Sequence, residues 1–218
     1  MAVKPRRAYN SPQRDKQTNA TRRSILVAAH ELFEADGFPA VTMAAIARQA
    51  TISLPTVYLY FPGKAALVAS LAEDVAASSD LSVEQVESEG QPVQKLRIAA
   101  GIIRRLNERS WVVTDILRAA RGTDDRLSET CRLWDERHLA AVRRAIASID
   151  DCGALSSHIT VDGAVDAFYA LAGTDVYRVL VRDRGWSPDQ YERWLFGLAC
   201  RELLDQHGVP PMKSKGAS

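Results

Sequence analysis

The stretch Thr42–Lys64, TMAAIARQATISLPTVYLYFPGK, carries the start and stop signals of consecutive short helices. Thr42 and Ser53 stand where N-caps belong, because a hydroxyl there accepts a backbone N–H group that has no partner in the first helical turn. Pro55 falls in the first turn of the second helix, where its missing N–H costs little. Residues Thr51-Ile52 form the turn between them. The spacing therefore predicts two short helices joined by a tight turn and running into a third.

The second short helix, about Leu54 to Tyr60, has an apolar position, Val57, flanked by side chains that carry hydroxyls. One side of such a rod packs on a core, and the other side faces a groove lined with phosphates and base edges. This arrangement is typical of a helix-turn-helix. Upstream, the apolar spacing predicts a first helix over Thr21–Asp36, and Gly37 provides its stop signal.

These residues resemble the TetR family of bacterial transcriptional regulators. The resemblance covers Thr21 to Leu71 and is strongest at TVYLYF, residues 56–61, followed by Lys64. The chain departs from the family's usual residues at Thr51, Leu54 and Pro55, and Leu54 and Pro55 lie near the end that reads bases. No operator sequence is therefore carried over from relatives.

The resemblance implies an all-α fold with an N-terminal three-helix DNA-binding domain and a C-terminal helical domain for ligand binding and dimerisation. It also implies a homodimer on a palindromic double-stranded operator, with an unknown small-molecule effector that releases it. A solvated surface charge is an equally good interpretation of either Arg22 or Arg23 alone. The residues expected to bind DNA are Arg22, Arg23, Thr42, Ser53, Leu54, Pro55, Thr56, Tyr58, Leu59, Tyr60 and Lys64.

The charge distribution fits a DNA-binding head on a different body. Residues 1–64 hold nine basic and four acidic side chains, a net charge of +5, against +1 for the whole chain of 218 residues. The remainder is therefore −4, and such asymmetry is typical of a nucleic-acid-binding module attached to something else. Three widely separated cysteines match neither a disulfide framework nor a zinc site, which favours the reducing cytoplasm. No apolar run is long enough to predict a membrane span.

Composition and helical periodicity divide the chain into four segments. Residues 1–19 are basic and poor in apolar side chains, so we expect a disordered arm, either solvated or adding contacts to DNA. Residues 20–66 form the predicted DNA-binding domain, and residues 67–208 form the helical effector-binding and dimerisation domain. In that body we expect separate helices around Val93–Ile103 and Trp111–Leu117, and one long helix from Thr160 to about Arg182. Residues 209–218 are expected to be a flexible tail.

No catalytic, metal-binding or cofactor-binding constellation is present in the sequence. The histidines have no cysteine or second histidine at ligand spacing, and there is neither a glycine-rich phosphate loop nor a nucleophile elbow. A helical enzyme or binding protein that is merely basic at one end remains a remote alternative.

Candidate effector-binding and dimerisation residues lie in the body. His138 shares a helix face with Trp134, so it is either a core histidine with a local partner or a group that orients a ligand. The expected cavity-lining residues are Trp111, Trp134, His138 and Tyr169. The large apolar side chains expected between subunits are Phe168, Trp194, Leu195 and Leu198.

The sequence therefore predicts a ligand-responsive transcriptional regulator, a repressor that a small apolar or amphipathic effector releases from its operator. A regulator of the same fold that activates, or that works without an effector, is the main alternative. A closed body without a cavity would favour the version without an effector.

Overall fold

The computed structural model describes residues 12–78 and 81–205, and within these ranges the chain is helical. The described residues contain no strand, and their one isolated β-bridge joins Leu155 to Leu204. The predicted all-α fold class is confirmed. The chain divides into two compact units between Leu71 and Ala72, rather than between residues 66 and 67, and the division falls inside a helix.

The first unit, the head, is built from three helices and the start of a fourth around one small core. Ile25, Phe33, Ile46, Val57 and Leu67 are almost completely buried in it. Burial of a few large apolar side chains stabilises such a unit, since each contributes roughly 1.5–3 kcal/mol. The helices are α1 (Pro12–Asp36), α2 (Met43–Ala50), α3 (Leu54–Tyr60) and α4 (Lys64–Ala76).

Helix α1 begins earlier than the apolar spacing predicts. Its first residue is Pro12, so part of the arm predicted to be disordered is helical, while residues 1–11 lie outside the described part of the chain. The predicted start at Thr21 rested on apolar periodicity, which cannot detect a first turn made of polar residues. A proline at the first helical position is itself a start signal.

The second unit, the body, has a core formed mainly by long helices, with Leu96, Ile146, Phe168, Tyr191 and Leu195 all buried. The two helices predicted over Val93–Ile103 and Trp111–Leu117 are one, because no glycine or proline lies between Ile103 and Trp111. The body helices are α5 (Glu84–Glu87), α6 (Pro92–Ala119), α7 (Asp125–Asp150), α8 (Val161–Ala172), α9 (Thr174–Tyr177) and α10 (Pro188–Leu203), with a π-helical turn, Arg178–Asp183, after α9.

The long helix predicted from Thr160 to about Arg182 is interrupted at Gly173. The carbonyl of Ala172 accepts a hydrogen bond of 3.0 Å from the Asn107 side chain, whose amide also lies 3.2 Å from the Tyr191 hydroxyl. Thr174 donates to the Asn107 carbonyl oxygen at 3.3 Å. The Ala172 carbonyl, which the break leaves without a helical partner, is thus bonded by α6, and the Thr174 hydroxyl bonds to the same Asn107 side chain.

Three helices of the body begin at residues whose side chains cap the helix N-terminus. The backbone N–H groups of Leu127, Gly163 and Gln190 donate to Asp124, Thr160 and Ser187 at 2.9–3.1 Å. Helix α10 ends at Leu203, before the predicted stop at Gly208; residues 206–218, including the predicted flexible tail 209–218, lie outside the described part. Among the described residues, no helix is both long and apolar enough to span a membrane.

Thr51 ends α2 in the left-handed backbone region, with φ 58° and ψ 39°. A β-branched residue there is strained by about 1–2 kcal/mol, whereas glycine is not. Replacing Thr51 with glycine should therefore raise the melting temperature by about 2–4 °C, equivalent to roughly 1 kcal/mol for a chain of this size. Calorimetry measures the shift, with Ala44→Gly, an exposed position inside α2, as a control that should melt earlier. A lower melting temperature for Thr51→Gly would mean that threonine makes compensating contacts.

Candidate functional site

The turn between α2 and α3 is fixed by backbone and side-chain caps. Thr42 accepts a hydrogen bond of 3.1 Å from the Ala45 N–H, and Ser53 accepts one of 3.3 Å from the Thr56 N–H. The Ser53 and Thr56 hydroxyls also lie 2.7 Å apart. Each cap satisfies a backbone group that the helix itself leaves open. Local sequence alone therefore sets the start of both helices, as predicted.

Helix α3 buries one side and exposes the other. Val57 is completely buried, whereas Tyr58 is 49% exposed and Leu59 is 86% exposed. An isolated exposed leucine is ordinary, but a leucine and a tyrosine side by side on a capped helix of seven residues make a small amphipathic surface. That surface has the size and polarity of a groove-reading element.

Lys64 ties the start of α4 to the loop that follows α1. Its ammonium donates to the carbonyl of Phe38 at 2.6 Å, lies 3.5 Å from the carbonyl of Pro39, and sits 4.4 Å from the centroid of the Phe38 ring. Partial burial lowers the pKa of Lys64. An ammonium has three donors, so one remains for another acceptor.

The other predicted contact residues of the head lie on its surface or close to it. Arg23, Thr42 and Pro55 are exposed, and Leu54 and Tyr60 are half-buried. The Arg22 guanidinium lies 5.9 Å from the centroid of the Phe61 ring, which explains its partial burial. Ser53 and Thr56 are engaged with each other, so they are better placed to hold α3 than to reach a ligand.

The body contains a cavity of about 160 Å³ with an apolar lining. Val83 and Val86 come from the segment around α5, while the remaining walls belong to α4, α6, α7 and α8. Trp134 and His138, which share a face of α7, are among the residues that line it. Sites for small molecules are mostly apolar with a few placed polar groups, and this cavity has that character. Further lining residues are Val75, Ala76, Ile102, Ile103, Leu106, Arg137, Ala141, Val142 and Phe168.

A second, smaller cavity of about 40 Å³ shares Trp134 and His138 with the first. Tyr169 lines it and packs against His138 with ring centroids 5.0 Å apart. Its other lining groups are more polar and include Thr114, Arg118 and Asp135. Trp134 and His138 thus lie between the larger, apolar cavity and the smaller, more polar cavity.

His138 is held as a neutral imidazole. Burial lowers its pKa to about 4, and the positive charge of Arg118 acts in the same direction. Its side chain is half-buried overall, but its Nε2 is buried, and within the described residues that atom has no hydrogen-bond partner. A buried polar atom without a partner costs about 1–3 kcal/mol, so such atoms are concentrated where function requires them.

The α5 wall of the larger cavity is fastened to α6 and α7. Arg144 contacts Glu84 at 2.8 Å and Glu87 at 2.5 Å, and the buried Lys95 ammonium donates to the Val86 carbonyl at 3.0 Å. The Ser82 hydroxyl and the Arg144 guanidinium lower the pKa of Glu84 to about 2. Glu84 is therefore ionised at neutral pH and keeps its ion pair with Arg144.

The remaining residues predicted to bind effector or to form the dimer lie in different environments. Trp111 lines neither cavity. Instead, the Arg182 guanidinium lies over the Trp111 ring, 4.3 Å from the ring centroid. Phe168 and Leu195 are buried inside the protomer itself, whereas Trp194 and Leu198 are half-buried. The sequence analysis does not assign the α6 residues that line the cavity. The apolar pair Ile102-Ile103 is the sequence feature that indicates their inward-facing position. No cluster of metal-ligating side chains occurs within the described residues.

Comparison with known proteins gives concordant matches. Residues 25–71 match the family model described as bacterial regulatory proteins, tetR family. The chain is 30% identical to YdeS of Bacillus subtilis (strain 168), described as an uncharacterized HTH-type transcriptional regulator. That match runs over 164 residues, 74% of this chain and 79% of YdeS. The chain is also 29% identical to the transcriptional repressor KstR of Mycolicibacterium smegmatis. That match runs over 100 residues, 45% of this chain and 49% of KstR.

Among solved structures, the fold is similar to that of SmeT, the repressor of a Stenotrophomonas maltophilia multidrug efflux pump, in its complex with triclosan. The TM-score is 0.71 at 17% sequence identity, and the alignment covers 91% of this chain and 99% of SmeT. At that identity the likeness shows the fold alone.

Proposed function

Because the chain belongs to the TetR family of bacterial regulatory proteins, we propose that it is a repressor that binds a palindromic operator as a homodimer and leaves it when a small molecule binds. The chain is a transcriptional regulator and not an enzyme. The observation that carries the proposal is the pairing of an outward-facing α3 in the head with an apolar cavity in the body.

On the DNA side, α3 would lie in the major groove. Leu59, the most exposed apolar side chain of α3, would contact thymine methyl groups together with Leu54 and Pro55. The phosphates would be bound by a ring of polar groups around this apolar centre, and Ser53 and Thr56 would hold the helix in register. The proposed phosphate contacts are Arg22, Arg23, Thr42, Tyr58, Tyr60 and Lys64.

Lys64 would both stabilise the fold of the head and contact a DNA phosphate. Lys64→Met keeps an unbranched apolar side chain but removes the ammonium and its contacts with Phe38, so we expect a loss of about 1 kcal/mol in stability. The slope of log affinity against log salt should also fall by about one, since one phosphate contact is lost. Lys64→Arg is the matched control that retains the charge. A slope unchanged in Lys64→Met would remove the phosphate contact and leave only the structural role.

Two heads in a dimer would bind one duplex with their α3 helices about 34–36 Å apart, the spacing of successive major grooves. Linking the heads raises the affinity of the second contact through effective concentration. The half-buried Trp194 and Leu198 would meet the partner subunit. Phe168 and Leu195 would support that surface from inside the protomer, because their side chains are already buried there.

On the effector side, the cavity supports a small apolar or amphipathic molecule. The complex of the similarly folded SmeT with triclosan supports the same view. The cavity-lining residues Val75 and Ala76 belong to α4, the helix that begins in the head at Lys64. A ligand would shift the equilibrium toward a state with weaker DNA binding only as far as it binds that state better. The cavity also argues against a regulator without an effector.

The cellular site proposed is the cytoplasm, where a regulator meets DNA. Cys131, Cys152 and Cys200 are all free thiols in the structure, which is in keeping with a reducing compartment.

The proposal is tested by selecting duplexes from a random pool with the purified full-length protein. We expect a palindromic site, bound by two protomers and weakened strongly by salt. Sedimentation of the complex gives the stoichiometry. Recovery of no enriched sequence, with binding independent of salt, would contradict the proposed function.

A further inference from the structure

His138, one of the residues that line the larger apolar cavity, carries a buried polar atom that lacks a partner within the described residues. The walls of this cavity include Ile102, Ile103, Val142 and Phe168, all of them aliphatic or aromatic. The polar atom without a partner in this part of the chain is Nε2 of His138. A ligand with one hydrogen-bonding group would satisfy this atom and gain more from it than from a group already bonded.

The protonation state of His138 limits what that group can be. Because burial holds its pKa near 4, the imidazole is neutral at pH 7. In a neutral ring one nitrogen donates and the other accepts. A hydroxyl both donates and accepts, so it suits either tautomer of His138. A carbonyl or an aromatic nitrogen suits only one of them.

The size of the cavity limits the apolar part of the ligand. At about 160 Å³ it is close to the engineered apolar cavity of 150 Å³ that binds benzene. One aromatic ring with a small substituent therefore fills it. The charge of the ligand is limited as well, because transfer of an unpaired ion into an apolar site costs far more than transfer of a hydroxyl. Arg137 is the charged residue that lines this cavity, and it is largely exposed to solvent.

We infer that the effector class of this cavity is a neutral phenol with a single ring. The ring occupies the space between α6 and α7, and the hydroxyl hydrogen-bonds to Nε2 of His138. This inference rests on the proposed function only in taking the cavity as the effector site. It adds the chemistry of the ligand and the residue that selects it.

The test uses four probes of one size on the full-length protein at pH 7.5, with dissociation constants from calorimetry. They are p-cresol, toluene, benzoate and benzylamine, which differ in one polar group. We expect p-cresol to bind most tightly, with a dissociation constant about tenfold below that of toluene, since one hydrogen bond contributes about that factor. Benzoate and benzylamine should bind at least tenfold more weakly than p-cresol.

Replacing His138 isolates the hydrogen bond. In His138→Leu the advantage of p-cresol over toluene should disappear, while toluene still binds, which also shows that the cavity persists. His138→Gln should keep part of the advantage because it retains a polar group. The matched control is Leu139→Ala, the next residue of α7, which is 37% exposed and is not part of the cavity lining. Its preference should equal that of the wild type.

Three results would overturn the inference. An unchanged advantage of p-cresol in His138→Leu would show that another group binds the hydroxyl. Tightest binding of benzoate would show that Arg137 selects a carboxylate instead. Failure of every probe to bind the wild type would exclude single-ring ligands. If p-cresol binds as expected but leaves DNA affinity unchanged, the ligand preference of the cavity and the role of His138 stand, and the proposed effector control fails.

Discussion

Replacing Leu59 with glutamate should weaken operator binding by about 100-fold and leave the melting temperature within about 2 °C of the wild type. The stability is unaffected because the Leu59 side chain is 86% exposed and packs on little. The affinity falls because a carboxylate in the groove loses apolar contacts and is repelled by the phosphates. A like charge at an interface costs several kcal/mol, and 100-fold corresponds to about 2.8 kcal/mol.

Fluorescence anisotropy with a labelled operator measures this effect. The matched control is Leu133→Glu on α7, an exposed leucine in the body, which should bind DNA as the wild type does. Leu59→Ala should cost only about 1 kcal/mol, and it should relax the preference for thymine at one position. Wild-type affinity in Leu59→Glu would mean that α3 does not enter the groove.

A second large effect is expected at Leu195 on α10. Its side chain is completely buried in the core of the protomer, so Leu195→Asp places a charge there without a partner. Such a substitution costs several kcal/mol, a large share of the 5–15 kcal/mol that stabilises a typical domain. We expect a chain that is unfolded or aggregated at 37 °C by circular dichroism and light scattering. Melting close to that of the wild type would show that Leu195 is not a core residue.

Leu198→Asp provides the contrast on the same helix. Leu198 is half-buried, so a carboxylate there retains access to water and the protomer should remain helical. If it faces the partner subunit, sedimentation should show a monomer, and operator binding should weaken because two linked heads are lost. An intact dimer with this variant would place the interface elsewhere on the body.

The head could be predicted from sequence because its signals are local. Thr42, Ser53 and Pro55 each act within three or four residues, and the caps observed are those expected from their chemistry. The early start of α1 was missed because its first turns are polar. Even so, Ser11-Pro12 repeats the pair Ser187-Pro188 that correctly marks the start of α10.

The fold of the body was harder to predict from sequence, because the contacts that determine it join residues far apart in the chain. The break of α8 depends on Asn107, 65 positions before the carbonyl that it binds, and no local pattern reveals that bond. Trp134 and His138 could be assigned to one inward face of α7 from helical spacing alone. The placement of Trp111 required the long α6 and the position of Arg182, so spacing could not separate it from a cavity wall.

We propose that occupancy of the body cavity weakens DNA binding by the head. The most direct measurement is the operator dissociation constant of the wild type, with and without saturating amounts of a ligand that calorimetry shows to bind one per protomer. Coupling energies of about 1–3 kcal/mol are typical, so we predict an operator affinity at least tenfold lower with ligand bound. By reciprocity, the operator should weaken ligand binding by the same factor. An operator affinity that is identical with and without bound ligand would show that the cavity does not control DNA binding by the head.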